Sequence, residues 1–427
     1  MTLSLFKNLV SLVGAEAFSK LVTFAAFAYL ARICGPSGFG IIEWSGSVLM
    51  CAGLIIDQGF SAYGAREIAR QPTRTGELVA EIVTLRFVLA AASFAAIVTV
   101  ALLFVRDPSV ARLLLAYGLS LLALPLILTW VFQGHDRMNI VAVTQIIRQS
   151  IFAAVVLVLV RAADDVVIVG FAEVAGVASA AIFSVWMYKR FVKTGRRLLR
   201  PTLSGRLIRE GVPIGISQMF WVTRMFGATL ILGLIATAED TGYFAGAMRI
   251  LIALHTFVWL YYFNLLPSIS RSWTAGRGEF TALIGNSMRT VLLVCIGVTA
   301  VWVLTAPTVM VLFYGQSFAS GGNALRWTAG VWVAAAISGH FRFGLIAAGL
   351  QRQEMFTSAL GAFVALVLIP VGYLWTGVAG AAAALCVAET LVLFSTAALA
   401  NRMLFGFRSN GSEPATGYLE GVSGISR

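Results

Sequence analysis

The chain has 427 residues, 59% of them hydrophobic and only 12% charged, with a formal net charge of +12. Soluble domains carry about 25% charged residues, so this composition excludes a soluble enzyme. The apolar residues form blocks of about 18 or more, the length of a membrane-spanning helix, and they do not alternate with polar residues as barrel strands do. The fold class expected is all-α, a polytopic membrane protein.

The first block, about 9–31, is too long for the apolar region of a signal peptide. No small-residue cleavage site follows it, so it reads as the first span and not as a cleavable leader. Twelve spans are expected in chain order, at about 9–31, 39–62, 79–105, 110–132, 140–160, 165–188, 212–236, 242–266, 283–304, 327–349, 356–376 and 378–401. Thr376-Gly377 is the turn between the last two. Pro307 follows the ninth and precedes a second apolar stretch, 308–314, which extends the helix past a kink if the proline is tolerated there.

Orientation follows from Lys and Arg in the short loops. One set of loops and tails holds Lys7, Arg66, Arg70, Arg74, Arg137, Arg271, Arg277, Arg352, Arg402, Arg408, Arg427 and the cluster Lys189, Arg190, Lys193, Arg196, Arg197, Arg200, Arg206 and Arg209. The other set holds Arg32, Arg106, Arg112, Arg161 and Arg326. The asymmetry predicts that both termini face the cytoplasm. The basic net charge is then a topology signal, and no nucleic-acid partner is expected.

The expected organisation is an N-terminal six-helix lobe (1–188), a basic cytoplasmic linker (189–211), a C-terminal six-helix lobe (212–403) and a disordered tail (404–427). The linker reads as an interfacial segment on anionic membrane lipids. The tail is rich in Gly and Ser and has no periodicity. Six spans per half give both halves the same orientation, so a repeat would be parallel. An offset of 204 residues pairs Gly38-Phe39 with Gly242-Tyr243 and Lys20 with Arg224, and Arg86 matches Arg289 within one residue.

Cys34, Cys51, Cys295 and Cys386 form no CxxC or Cys/His cluster. They read as packing residues, with no metal and no cofactor expected. Seven basic residues fall inside spans: Lys20, Arg86, Arg148, Arg224, Arg249, Arg289 and Arg342. Each costs about 2.5–3.5 kcal/mol at a helix centre unless it faces a partner or a wet cavity. The acids counted inside spans are Glu16, Glu43, Asp57, Glu173 and Glu389. Seven against five leaves at least two cations for a cavity, which suits a pyrophosphate or an acidic sugar. Lys20, Arg224, Arg249, Arg148 and Arg342 are the candidate substrate-binding cations. Glu173, Glu389, Asp57 and Glu16 are the candidate coupling acids.

Each has a plainer alternative. Glu16 and Lys20 are four apart and pair along one helix. Asp57 pairs with Arg66 or Arg70. Arg86 and Arg289 anchor helix ends. His255 and His340 are packing residues. Trp259, Tyr261, Tyr262, Phe263 and Tyr314 form interface belts.

Several segments resemble the Wzx-type polysaccharide flippases of the multidrug/oligosaccharidyl-lipid/polysaccharide exporter superfamily. Ala31-Arg32-Ile33-Cys34-Gly35-Pro36-Ser37-Gly38-Phe39-Gly40 is similar to that family's "AR-x-LGP-x-x-FG" turn, with Cys34 where Leu is usual. Asp57-Gln58-Gly59-Phe60, leading to Arg66 and Ala69-Arg70, resembles its "D-x-G-(F/L)…R-E-I-A-R" segment. Trp130-Val131-Phe132-Gln133-Gly134 resembles "W-x-x-Q-G". Gly242 to Ala247 and Leu266 to Arg271 resemble the eighth span. The similarity covers about residues 5 to 400. The order and spacing of the motifs carry it more than any one of them.

The resemblance implies two six-helix bundles around a central cavity, working by alternating access. It implies flipping of an undecaprenyl-diphosphate-linked oligosaccharide to the outer leaflet. A polysaccharide polymerase and a chain-length regulator are candidate partners. Twelve spans, against fourteen, argue against the lipid II flippase branch. A multidrug cation exporter of the same fold is the alternative, though an excess of basic residues suits it poorly. A membrane polymerase or ligase is the second alternative; it needs a large outer loop with catalytic residues, and the connections near 105–110 and 305–326 are short.

Overall fold

In the computed structural model, residues 3–192, 198–199 and 205–405 are described. Nine helices among them are long and apolar enough to cross a membrane. Two of these, Glu16–Arg70 and Gln351–Leu404, each fold back at a glycine and hold two spans. A further span is divided in the middle, so twelve crossings result.

Span one (3–34) and span two (36–57) meet at Gly35, whose φ of 64° is left-handed. That conformation costs glycine little, and Pro36 then starts the next helix with its φ already set. Span two ends at Asp57, where Gln58 and Gly59 both take positive φ, and a short helix Phe60–Arg70 follows. Span three is Thr75–Leu103. Span four is Pro108–Ala123. The continuous helix expected over 110–132 is interrupted. Pro125 has no N–H to give and clashes with the preceding turn, and the chain makes the 3-10 turn Leu124–Leu126 before the short helix Thr129–Gly134.

Span five is Met138–Leu159 and span six Val166–Phe191. Span seven is Gly205–Met225 continued by Gly227–Ile235, broken at Phe226 where one helix was expected. Span eight is Ala238–Ala275 and span nine Arg277–Tyr314. Span nine runs through Pro307 and takes in the second apolar stretch. Span ten is Gly322–Ala347. Spans eleven (351–375) and twelve (378–400) turn at Thr376-Gly377, with Gly377 at φ 65°. The linker segments 193–197 and 200–204 and the tail from 406 onward lie outside the described residues.

Spans one to six pack on one another, as do spans seven to twelve, giving two bundles of six. The turns at Gln71, His135–137, Gly276 and 348–350 lie on one face of the molecule, here called the basic face. Those at Gly35, 104–107, 160–165, 236–237, 315–321 and 376–377 lie on the opposite face. Asp165, in a loop of the opposite face, accepts the backbone N–H groups of Arg161 and Ala162 at 2.8 Å each. These bonds hold its carboxyl below the usual carboxylate range.

The halves meet most closely near the opposite face. A Cβ at Gly242 in span eight would collide with the carbonyl of Pro36. One at Gly40 in span two would collide with that of Ala238. Only glycine permits this backbone approach. Aromatic rings seal the same end: Phe24 on Phe313 (centroids 5.0 Å), Phe39 on Phe318 (5.7 Å) and Tyr243 on Phe318 (5.9 Å). Arg32 donates to the carbonyls of Leu312 and Phe313 at the end of span nine, where a helix C-terminus attracts a cation. Gly242→Val is expected to force the halves apart here and cost about 1–3 kcal/mol. A fall in the thermal unfolding midpoint of the detergent-purified protein would register it.

Candidate transport site

The charges inside the membrane are arranged in pairs. On span one, Lys20 Nζ lies 3.5 Å from Glu16, both about half exposed. Arg86 of span three lies 3.7 Å from Asp57 of span two, and Ser61 donates to that carboxylate at 2.5 Å. Arg148 of span five pairs with Glu173 of span six at 2.6 Å. Arg249 of span eight pairs with Glu43 of span two. Arg224 of span seven pairs with Glu389 of span twelve at 3.1 Å, each only 2% exposed. Arg342 of span ten pairs with Glu354 of span eleven at 2.5 Å, and Ser358 donates to the same carboxylate at 3.0 Å.

These pairings correct three expectations. Six of the seven intramembrane cations have a carboxylate, so no two are left over. The count missed Glu354 because span eleven starts at Gln351, not near 356. Arg289 is exposed, and among the described residues no acid pairs with it. Asp57 pairs with Arg86, not with Arg66 or Arg70, which both lie 3.5 Å from Glu67. The bend at Gln58-Gly59 separates Asp57 from the helix that carries those arginines. Arg86 is therefore a buried partner and no helix-end anchor.

Two cavities lie along these pairs. The first, of about 220 Å³, lies between the two halves and is lined from spans one, two, five, seven and eight. Lys20, Glu16, Glu43, Arg249, Gln145 and Gln149 are its polar walls. Gln149 accepts a hydrogen bond from Thr23 at 2.9 Å. The cavity reaches toward the basic face at the half-exposed Glu16 and Lys20, and the aromatic cluster closes it at the opposite face.

The second cavity, of about 400 Å³, lies in the first bundle. Asp57, Arg86, Arg148, Glu173 and Tyr117 line it, and Glu43 and Arg249 form the wall it shares with the first. Arg86 is 4% exposed, and its Nε and Nη1 have no hydrogen-bond partner among the described residues. A buried donor left in that state is costly, so this chamber suits water or another polar occupant.

Of the cations expected to hold a substrate, Lys20 and Arg249 are therefore on the central cavity. Arg148 is in the second chamber. Arg224 is buried inside the second bundle against Glu389 and Gly361 and lines neither cavity. Its position on span seven fixed only its depth, and the rotation of that helix turns it inward. Arg342 is tied to Glu354 and also lines neither cavity. Of the candidate coupling acids, Glu16 is on the central cavity, Asp57 and Glu173 are in the second chamber, and Glu389 is in the buried pair. His340 sits in a packed polar knot, bonded to Tyr262 at 2.6 Å and Ser287 at 2.8 Å.

Sequence reading assigned no role to Glu43. One signal for it exists: Glu43 lies 206 residues from Arg249, close to the repeat offset of 204.

Two six-helix bundles around a polar cavity are a fold that the chain shares with solved membrane transporters. Among solved structures, the chain is similar to a lipid II flippase, MurJ, in an inward closed conformation. That similarity has a TM-score of 0.70 at 11% identity, over 90% of this chain and 86% of that one. An inward-facing multidrug resistance MATE family transporter of the MOP superfamily gives 0.67 at 14% identity, over 96% and 97%.

The chain belongs to the polysaccharide biosynthesis protein family, whose model matches residues 5–273. Among curated relatives, it is 22% identical over 289 residues to a protein of Escherichia coli (strain K12) named "Putative O-antigen transporter". That match spans 67% of this chain and 70% of the relative. A Shigella dysenteriae protein of the same name is 23% identical over 186 residues, which is 43% of this chain and 47% of that one. Each of these relatives and structures is named as a transporter or a flippase, not as an enzyme. The chain is a multi-pass membrane protein.

Proposed function

We propose that the protein flips an undecaprenyl-diphosphate-linked oligosaccharide from the inner to the outer leaflet of the bacterial inner membrane, for assembly of a surface polysaccharide. The observation that carries this reading is Arg249. It stands in the wall of the central cavity, its Nε bonded to Glu43. Among the described residues, neither Nη group bonds a protein acceptor. A guanidinium fork free on one side fits a phosphate oxygen pair. Lys20 supplies a second cation on the same cavity.

The cavity's formal charges balance, so the preference for an anion rests on this free fork and not on net charge. The diphosphate would enter from the basic face, which the positive-inside rule assigns to the cytoplasm, while the prenyl chain stays in the bilayer between the bundles. The two bundles would then rock, opening the aromatic seal. An inside-negative potential favours outward movement of an anion by about 2.3 kcal/mol per charge per 100 mV. The two six-helix lobes and the basic linker between them are the units of this motion.

The test is deletion of the gene in its host, with surface polysaccharide and undecaprenyl-linked intermediates assayed together. The expected result is loss of polysaccharide, with intermediates stranded in the inner leaflet and rescue by the wild-type gene. Normal polysaccharide with altered drug sensitivity would instead favour a multidrug exporter of the same fold.

A further inference from the structure

Among the described residues, Arg249–Glu43 is the one ion pair that joins the two halves. The other five intramembrane pairs lie within span one or within a single bundle. It is also the wall shared by the two cavities. Its side chains are 24% and 13% exposed, so a ligand in the central cavity can reach them. The two partners are held differently. The Arg249 guanidinium also lies over the ring of Phe27, a cation–π contact that keeps it in place. For Glu43, Arg249 is the only side-chain partner among the described residues.

We infer that Glu43 competes with the anionic cargo for Arg249, so that cargo binding itself opens the ion pair between the halves. This inference rests on the flippase reading above and adds a residue to it. The physical argument is one of charge. A carboxylate carries one negative charge, and a diphosphate carries more than one over a bidentate array of oxygens. The diphosphate therefore wins the guanidinium where a neutral sugar cannot. Glu43 then turns into the cavity, next to Ser47, in the wall that both chambers share. Cargo without a diphosphate leaves this ion pair closed, which makes Glu43 a specificity-determining residue. A ligand changes an equilibrium only by its differential affinity for the two states, and competition at Arg249 supplies that difference.

The experiment uses the purified full chain and farnesyl diphosphate as the probe. Binding is titrated to wild type and to Glu43→Gln. In parallel, spin labels at Arg106→Cys and Ser317→Cys, in loops of different halves on the opposite face, report their separation with the native cysteines replaced by alanine. Removing the competitor is expected to tighten the probe's Kd at least tenfold. Wild type is expected to gain a longer inter-label distance when farnesyl diphosphate is added, and none with tetraphenylphosphonium. The wild-type measurement does not depend on how the variant folds. An unchanged or weaker Kd in Glu43→Gln overturns the inference, as does a wild-type distance that ignores the diphosphate or responds to the cation. Failure of the flippase reading appears separately, as normal polysaccharide in the deletion strain.

Discussion

Arg249→Ala is expected to cut surface polysaccharide at least thirtyfold while the protein still reaches the membrane. Truncating one partner of a close charge pair in a binding site costs about 2–5 kcal/mol, and each 1.4 kcal/mol is a factor of ten. The loss has two sources. The cargo loses its guanidinium, and Glu43 is left in the cavity wall with no cation. Arg249→Lys keeps the charge but not the planar fork, and about a tenfold loss is expected. Surface sugar, normalised to the amount of protein in the membrane, measures both. Full output from Arg249→Ala would mean that the cargo is held elsewhere.

Arg224→Ala is expected to act on stability instead. The arginine and Glu389 are almost wholly buried in the second bundle. Removing one leaves an uncompensated buried charge, at a cost of about 3–5 kcal/mol. Replacing both with apolar residues of similar volume, Arg224→Met with Glu389→Leu, removes that penalty and is expected to restore stability to within about 1 kcal/mol of wild type or better. Unfolding of the three proteins in the same detergent tests this. If the double variant is stable and still exports polysaccharide, the pair is structural. If it is stable and silent, the pair takes part in transport from within the bundle.

The two predictions separate residues that look alike in the sequence. Lys20 and Arg224 lie 204 residues apart, the offset at which the sequence suggests a repeat. One is half exposed at the mouth of the central cavity and the other is buried. Intramembrane cations are costly wherever they sit, so their presence in a sequence marks a partner or a cavity but does not say which. Depth along the span is set by position in the chain. The direction in which the side chain points is set by how the helix is rotated against its neighbours, and an apolar block that is hydrophobic all round gives no face to read.

The sequence alone determined the class and the path of the chain. Helices must satisfy their own backbone in lipid, so long apolar blocks could become nothing else. The turn at Thr376-Gly377 was likewise legible, because glycine acts locally, whereas the run of span nine through Pro307 was left open. The breaks at Pro125 and Phe226 were not seen, since a proline inside a span is tolerated or not according to what packs beside it. The motifs around Gly35-Pro36 and Gly242 pointed to the family, and these two segments lie against each other in the fold. Only the tertiary structure decided the pairing of charges. Five spans lie between Glu43 and Arg249 in the chain, and bundle packing alone makes them neighbours. Coulomb interactions inside a membrane are strong at contact and depend steeply on distance and surroundings, so the fold chose the pairs and with them which cations remain free to meet a substrate.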